Sequence, residues 1–482
     1  MRRLVLLRTR QVLFLVTMLP IAEPVWAKVL LRWTAPDVPS ADVLGVRNLV
    51  ISWRAGKKAV ERARMQGYDV YAEVTLAEAS AAAARCSKLG VSGLIVDVGD
   101  TKEDLVGKTV RLLRAEFPRM AFLTRGVQGK QPQMRGSTVI KQEGVFEVSS
   151  PTAQPWIDSN TALVALDRAF RPTQVPLISF LWDLSDPVER ERGPSVDDYL
   201  LAVAEAGALH ADLIMDLDLS LQQSLTQRDT EESTPWNRVK RYLKFCSQQA
   251  GRSEVPSANV GVFTDDFETS YEVLNLLARR NIPFRVLGRN DLTSDGLKGM
   301  DLVVVLARPD PGGARRLADF VAAGGTAVLV NEPEVLPRQS GKPGRTAERA
   351  VSYTLGRGTA IELNQAVVDP ETFAQDVRRL LSPDKTLLSL WNGLTTLATP
   401  YQYEGSSDIT LELVNYAEDP LQVQVRFKGT FSAVRYENPE NVRCGYLTPT
   451  HTEGFTEFVV PWLRVAGRVH LSPRGRVPAA GR

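Results

Sequence analysis

The sequence predicts three folded units in series: a (β/α)8 TIM barrel, a flavodoxin-like α/β domain and a C-terminal antiparallel β-sandwich. Three observations predict them. Short β-rich apolar runs alternate with helical segments over residues 28–252, a second and shorter alternating series occupies 256–382, and the hydrophobic period changes to two over 383–472. A chain of 482 residues also needs more than one core, because single cores stop growing near roughly 250 to 300 residues.

The first 27 residues stand apart. Arg2, Arg3, Arg8 and Arg10 precede an apolar run over 12–21, and Val25 and Ala27 put small residues at the −3 and −1 positions of a signal-peptidase site. The expectation is a signal peptide cleaved after Ala27, hence a secreted or periplasmic protein. The alternative is a retained N-terminal anchor, which Pro20 and Glu23 oppose by interrupting the run well short of the ~20 residues of a membrane span. No other stretch approaches that length, so no span is expected after cleavage. Removal of four Arg and one Glu from 58 basic and 56 acidic residues leaves a formal charge of −1, which argues against nucleic acid as a partner.

The barrel is read from eight β-rich runs: 29–33, 48–53, 69–74, 93–98, 120–125, 144–149, 177–183 and 212–219. Between them, 57–66, 76–89, 104–117, 161–170, 196–206 and 236–249 carry apolar residues at helical spacing. Gly67, Gly90 and Gly207 follow three of these helices where a left-handed stop residue is wanted. Eight strand–helix repeats in this length fit a barrel whose working face is the C-terminal end of its strands.

A polar, proline-containing stretch at 253–257 ends that pattern. The second series then runs strand 260–263, helix 267–280, strands 284–287 and 302–306, helix 312–323, strand 326–330 and a closing helix 371–381. Residues 331–350, rich in Pro, Gly, Arg and Glu, are expected to form a mobile surface loop. In the last unit 409–414 and 421–427 alternate apolar and polar residues around a turn at 416–420, and 455–462 and 465–471 close the sandwich. The tail 473–482 is expected to be disordered.

Taken in this order, the three units resemble the barrel-type β-galactosidases that carry a trimerisation domain. Met300-Asp-Leu-Val-Val-Val-Leu306 with Ala318-Asp-Phe-Val-Ala-Ala-Gly-Gly-Thr-Ala-Val-Leu-Val330 looks like that family's second domain, and Leu413-Val-Asn-Tyr416 like the opening of its sandwich. The resemblance implies a secreted glycoside-hydrolase-like protein and a carbohydrate ligand. It does not extend to the catalytic glutamates: the family has an Asn-Glu pair after strand four and a Glu after strand seven, where this chain has Asp97 and Asp183. The second domain is also similar to class I glutamine amidotransferases, which use a Cys nucleophile. No Cys lies between Cys246 and Cys444 and no His between His210 and His451, so the domain is expected to pack or oligomerise rather than catalyse.

Cys86, Cys246 and Cys444 are too few and too scattered for a disulfide framework and read as small buried hydrophobes. Three histidines, with no Cys/His cluster, speak against zinc; Asp97-Val-Gly-Asp100 and Asp216-Leu-Asp218 lack EF-hand spacing. No metal and no organic cofactor is implied.

Strand parity locates the chemistry, because residues i and i+2 share a face and one face of a barrel strand points inward. Leu94, Val96 and Val98 form one apolar set, leaving Ile95 and Asp97 on the other face; Ser179, Leu181 and Asp183, then Ile214, Asp216 and Asp218, and Tyr71 with Glu73 follow the same logic. Four strands thus aim carboxylates at one mouth. Glycoside hydrolysis needs one protonated and one ionised carboxyl group. Asp97 as nucleophile or base with Asp183 as acid is the first pair, and Glu147 is the reserve acid. Glu73, Asp216, Asp218, Arg32, Arg125 and the strand-end or loop aromatics Trp53, Trp156 and Trp182 are expected to contact substrate. The rival reading is a noncatalytic barrel that binds glycan or serves as an envelope-associated scaffold, in which Arg32 and Arg125 neutralise the same carboxylates.

Overall fold

The computed structural model describes residues 28–126, 130–135, 157, 159–183, 187, 191, 193–227, 230–247, 254–332, 334–337, 345–347 and 350–473. The leader 1–27, the run 144–149 with Glu147, Trp156 and the residues after 473 lie outside the described residues.

Eight strands form one sheet: β1 (Val29–Arg32), β2 (Asn48–Ser52), β3 (Asp69–Thr75), β4 (Gly93–Asp97), β5 (Ala121–Arg125), β6 (Gln133–Arg135), β7 (Leu177–Leu181) and β8 (Asp212–Asp216). Their order is β5-β4-β3-β2-β1-β8-β7-β6, every pairing is parallel, and the curl brings β5 back beside β7 as in a TIM barrel. Alternation divides each strand between two cores. Leu30, Val50, Tyr71, Ile95, Leu177 and Ile214 meet inside the curl, with Ala121 and Leu123 beside them. Their neighbours Leu31, Leu49, Val70, Leu94, Val96, Phe180 and Met215 face the helices. Each such buried side chain contributes about 1.5–3 kcal/mol of transfer free energy.

The helices are α1 (Ala41–Leu44), α2 (Lys57–Met65), α3 (Ala79–Leu89), α4 (Glu103–Glu116), α5 (Thr161–Phe170), α6 (Val196–Ala208), α7 (Leu219–Gln227) and α8 (Thr230–Ser247). A capping box, Ser195 with Asp198, starts α6, and Gly90 ends α3 in the left-handed region at φ 73°. Where α6 crosses α8, a Cβ on Gly207 would lie 2.7 Å from Cys246 Sγ, so glycine permits that approach. Cys86 is buried, and all three cysteines are free thiols.

Two expected strands change. The sixth is β6, about ten residues before 144–149, and its three residues are defined by pairing Gln133 with Ser179 and Arg135 with Leu181 rather than by β propensity. The eighth stops at Asp216 because Asp218 turns the chain into α7: its carbonyl accepts from Gln222 N at 3.0 Å and its carboxylate from Ser220 N at 2.8 Å.

The chain leaves the barrel through β9 (Glu254–Pro256) and enters the α/β unit with β10 (Val260–Phe263), β11 (Phe284–Leu287), β12 (Leu302–Val305), β13 (Thr326–Val330), β14 (Arg345–Ala347), β15 (Ala350–Leu355) and β16 (Gly358–Leu363). The order β11-β10-β12-β13-β16 is parallel and flavodoxin-like, and β15 and β14 extend it antiparallel over part of the segment expected to be a loop. Its helices are α9 (Tyr271–Arg279), α10 (Pro311–Ala322) and α11 (Pro370–Lys385), α10 being started by Asp310 and Pro311.

The sandwich comprises β17 (Leu388–Trp391), β18 (Thr396–Tyr403), β19 (Ile409–Asn415), β20 (Leu421–Lys428), β21 (Ala433–Glu437), β22 (Gly445–Leu447), β23 (Thr450–Thr452), β24 (Phe455–Leu463) and β25 (Ala466–Ser472). Its sheets are β17-β20-β24-β23 and β22-β21-β25-β19-β18-β9, closed over Leu411, Leu413, Val423, Val425, Phe427 and Val469. The polar, proline-containing stretch 253–257 thus supplies β9, paired with β18 at Tyr401–Pro256 and Tyr403–Glu254. No helix of the described residues is long and apolar enough to cross a membrane.

Candidate active site

Above the inner apolar layer, the next inward residues at the C-terminal strand ends are polar. Arg32 follows Leu30, Glu73 follows Tyr71, Asp97 follows Ile95, Arg125 follows Leu123 and Asp216 follows Ile214, each two positions on. Five strands therefore deliver three carboxylates and two guanidiniums to one layer.

These groups form an alternating chain across the mouth. Arg32 Nη1 donates to Asp216 Oδ1 at 2.9 Å, and its Nε and Nη2 grip Glu73 bidentately at 2.5 and 2.6 Å. Arg125 Nη1 donates to Glu73 Oε1 at 3.1 Å and its Nη2 to Asp97 Oδ2 at 2.7 Å. Gln131 Nε2 adds a bond to Asp97 Oδ2 at 2.9 Å, and Gly99 N one to Oδ1 at 3.0 Å. The five side chains are each partly buried, which strengthens their mutual fields relative to water. Two cations against three anions leave a formal charge of −1 if all are ionised.

The ends of the chain differ electrostatically. Desolvation alone would raise Asp97, but hydrogen bonds from Arg125, Gly99 and Gln131, with the Arg125 charge, hold its carboxyl below the ordinary value of 3.8. At Asp216 desolvation dominates: assisted by the charge of Glu73, it pushes the carboxyl above its ordinary value although Arg32 opposes it. Burial likewise works against the charge of Arg32, but Glu73 and Asp216 together keep it firmly protonated. Diverging environments for two carboxyls are what general acid and base roles require. β4 and β8 are four places apart in the strand order, so Asp97 and Asp216 come from opposite sides of an eight-stranded ring.

Other expected site residues lie elsewhere. Asp183 is on the exposed rim two residues past Leu181, 3.6 Å from Arg135 Nη1. Asp218 is the start of α7, and against desolvation its bonds from the Ser220 hydroxyl and neighbouring N–H groups hold it low; its carboxylate is taken up by this helix cap. Trp53 and Trp182 pack, partly buried, against the core behind the sheet, and Arg54 lies over the Trp53 ring at 5.1 Å. Glu147 and Trp156 fall outside the described residues.

Sequence reasoning missed Gln131 and Arg135. Arg135 belongs to the misplaced sixth strand, and Gln131 sits in a loop with no periodicity to orient it. Ser179 was on the inward face by parity; it is fully buried, and its Oγ has no hydrogen-bond partner. Among the described residues, no group of three or more His, Cys, Asp and Glu side chains is arranged to hold a metal ion.

No family profile matches this chain, and no curated protein sequence matches it. Solved structures do. An α-L-fucosidase isoenzyme 2 from Paenibacillus thiaminolyticus is similar with a TM-score of 0.57 at 12% identity, covering 93% of this chain and 100% of that one. A rhamnosidase from Novosphingobium sp. PP1Y has a TM-score of 0.45 at 10% identity, covering 88% of this chain and 40% of its own. A GH42 beta-galactosidase from G. stearothermophilus has a TM-score of 0.40 at 11% identity, covering 77% and 66%. The fold likeness rests on the first of these. The chain has a glycoside-hydrolase-like fold, and at such identities the likeness is one of fold alone.

Proposed function

We propose that the barrel mouth binds a carbohydrate and hydrolyses a glycosidic bond, with Asp97 as nucleophile or base and Asp216 as acid. The observation that carries this reading is the pair of opposed carboxyls, one held ionised by Arg125 and Gln131 and the other raised by burial. Glu73 with Arg32 and Arg125 would meet sugar hydroxyls between them. Asp216 takes the acid role expected of Asp183, which stands exposed at the rim beside Arg135 and outside the chain of ion pairs; Asp183 and Glu147 remain reserve acids. The leader is proposed to export the protein, bringing the mouth into contact with extracytoplasmic glycans.

A second reading is favoured by one specific feature. The bidentate Arg32–Glu73 pair stands in the middle of the ionic chain between Asp97 and Asp216, as in a barrel that binds glycan without cleaving it. Both readings meet one experiment: the mature chain is assayed against a panel of aryl glycosides and oligosaccharides, with binding measured in parallel. Hydrolysis that falls about 100-fold or more in Asp216→Asn and Asp97→Asn, with binding retained, supports catalysis. Binding without hydrolysis of any panel member selects the noncatalytic reading, and absence of both overturns the carbohydrate assignment.

A further inference from the structure

A second concavity lies away from the barrel, where the C-terminal end of α9 and one face of α11 meet the turn after β17. Its volume is about 400 Å³, within the range of roughly 300–1,000 Å³ typical of small-molecule sites. The α/β unit contributes Arg279, Arg280 and Arg378 to its wall, and the sandwich contributes Ser389, Trp391 and Asn392. Among the described residues no carboxylate lines it.

Positive charge is in excess there. Glu371, behind the wall, is shared: Arg280 Nη2 donates to its Oε1, and Arg279 Nη2 lies 3.4 Å from its Oε2. Among the described residues Arg378 bonds neutral acceptors, the carbonyls of Arg280 at 2.5 Å, Asn281 at 3.2 Å and Leu388 at 3.4 Å, and Ser389 Oγ at 3.5 Å. Arg280 Nε is buried without a hydrogen-bond partner. The carbonyl end of α9 offsets part of this charge, not all of it. Burial and the neighbouring Arg280 charge both push the Arg378 guanidinium below its ordinary value, so an anion arriving here would relieve an existing cost.

A purely structural role would account for guanidiniums tying α9 to the sandwich, but not for the neighbouring ring. Trp391 is 46% exposed on an edge strand at the rim of the same concavity, beside exposed Asn392. Such a half-exposed ring offers apolar surface to a ligand in the concavity, and Arg forks match planar or tetrahedral oxyanions.

We propose that this concavity binds an acidic saccharide, its carboxylate, sulfate or phosphate held by Arg280 and Arg378 and a sugar face laid on Trp391. The site is independent of the chemistry at the barrel mouth. The test uses the full chain, with tryptophan fluorescence and calorimetry, and five probes: trigalacturonate, glucose 6-phosphate, glucose, inorganic phosphate and a nucleoside monophosphate. Trigalacturonate or glucose 6-phosphate is expected to bind saturably and at least about tenfold more tightly than glucose or phosphate alone, tenfold being the effect of one good contact. Trp391→Ala and Asn392→Asp, both at exposed positions, are each expected to weaken that binding about tenfold. Asp97→Asn is expected to leave it unchanged, which separates failure here from failure at the mouth. The proposal is overturned by no saturation with either acidic sugar, by phosphate binding as tightly as the sugars, by the nucleotide binding more tightly than both, by undiminished binding in the two variants, or by loss of binding in Asp97→Asn.

Discussion

Asp97 and Asp216 end the same ionic chain yet should respond oppositely to substitution. Asp97 is held below its ordinary value, so its contribution to stability is present above about pH 4 and is lost as pH falls through the lowered value. Asp97→Asn removes charge-assisted bonds to Arg125 and Gln131 and is expected to cost about 1–3 kcal/mol at pH 7, read from the urea midpoint. The folded state raises Asp216, so it takes up a proton more readily than the unfolded chain, and stability declines as pH rises from the ordinary value through the raised one. Asp216→Asn should therefore be neutral or stabilising at pH 7 in the same assay. In catalysis the same directions predict a bell-shaped kcat/KM profile, with an acid limb below and an alkaline limb above the ordinary carboxylate value. The alkaline limb should vanish in Asp216→Asn. Parity sufficed to place Asp97, Glu73 and Asp216 on one face, because alternate neighbours Leu94, Val96, Val70 and Met215 are unambiguously apolar. The rival reading of the sequence has Arg32 and Arg125 neutralise these carboxylates; which carboxylate each guanidinium meets depends on strand register across the sheet.

Among elements, those fixed by their own pattern were legible and those fixed by partners were not. Four of the five parallel strands of the α/β unit, β10 to β13, are short apolar runs that read as strands without context, whereas β16, with Thr, Ala and Glu among its residues, is placed only by its pairing with β13. The sixth barrel strand is three residues held by β7, too short to carry a pattern of its own. The start of α7 was mistaken for strand because Leu217 and Leu219 continue the alternation of β8; Asp218 followed by Ser220 was the overlooked cap signal. Asp218→Ala is expected to cost about 1 kcal/mol by thermal or urea unfolding while leaving glycan binding at the mouth unchanged. A loss of binding with unaltered stability would return Asp218 to the substrate-contact role.

At the scale of the molecule, barrel and sandwich share a core. Helix α6 is buried on nearly every side, between β8, α8 and β19, and Leu397, Val414, Tyr416, Val465 and Ala466 of the sandwich complete the apolar layer around the barrel. Polar ties cross the same boundary. Tyr416 OH donates to the buried Glu205 carboxylate at 2.5 Å, Tyr401 OH to Ala208 O at 3.0 Å, and the His210 and Tyr401 rings stack with centroids 3.7 Å apart. Tyr416→Phe is expected to cost about 1.5–3 kcal/mol and lower the melting temperature without splitting the transition in two. Removal of residues 384–482 should give an insoluble chain, since it strips one side of α6; a soluble, folded remnant would show the barrel to be self-sufficient. Segmentation by periodicity treats units as separable, so this shared layer was not readable from it.

Strand β9 has one more consequence. It and β18 lie side by side in the same sheet although the entire flavodoxin-like unit is threaded between them. In topological terms that unit is a cassette inserted into the sandwich, entered from β9 in one sheet and left through β17 in the other. Swinging away on a single tether is denied to it, and a crossing from β9 to β17 would be the natural scar of its excision.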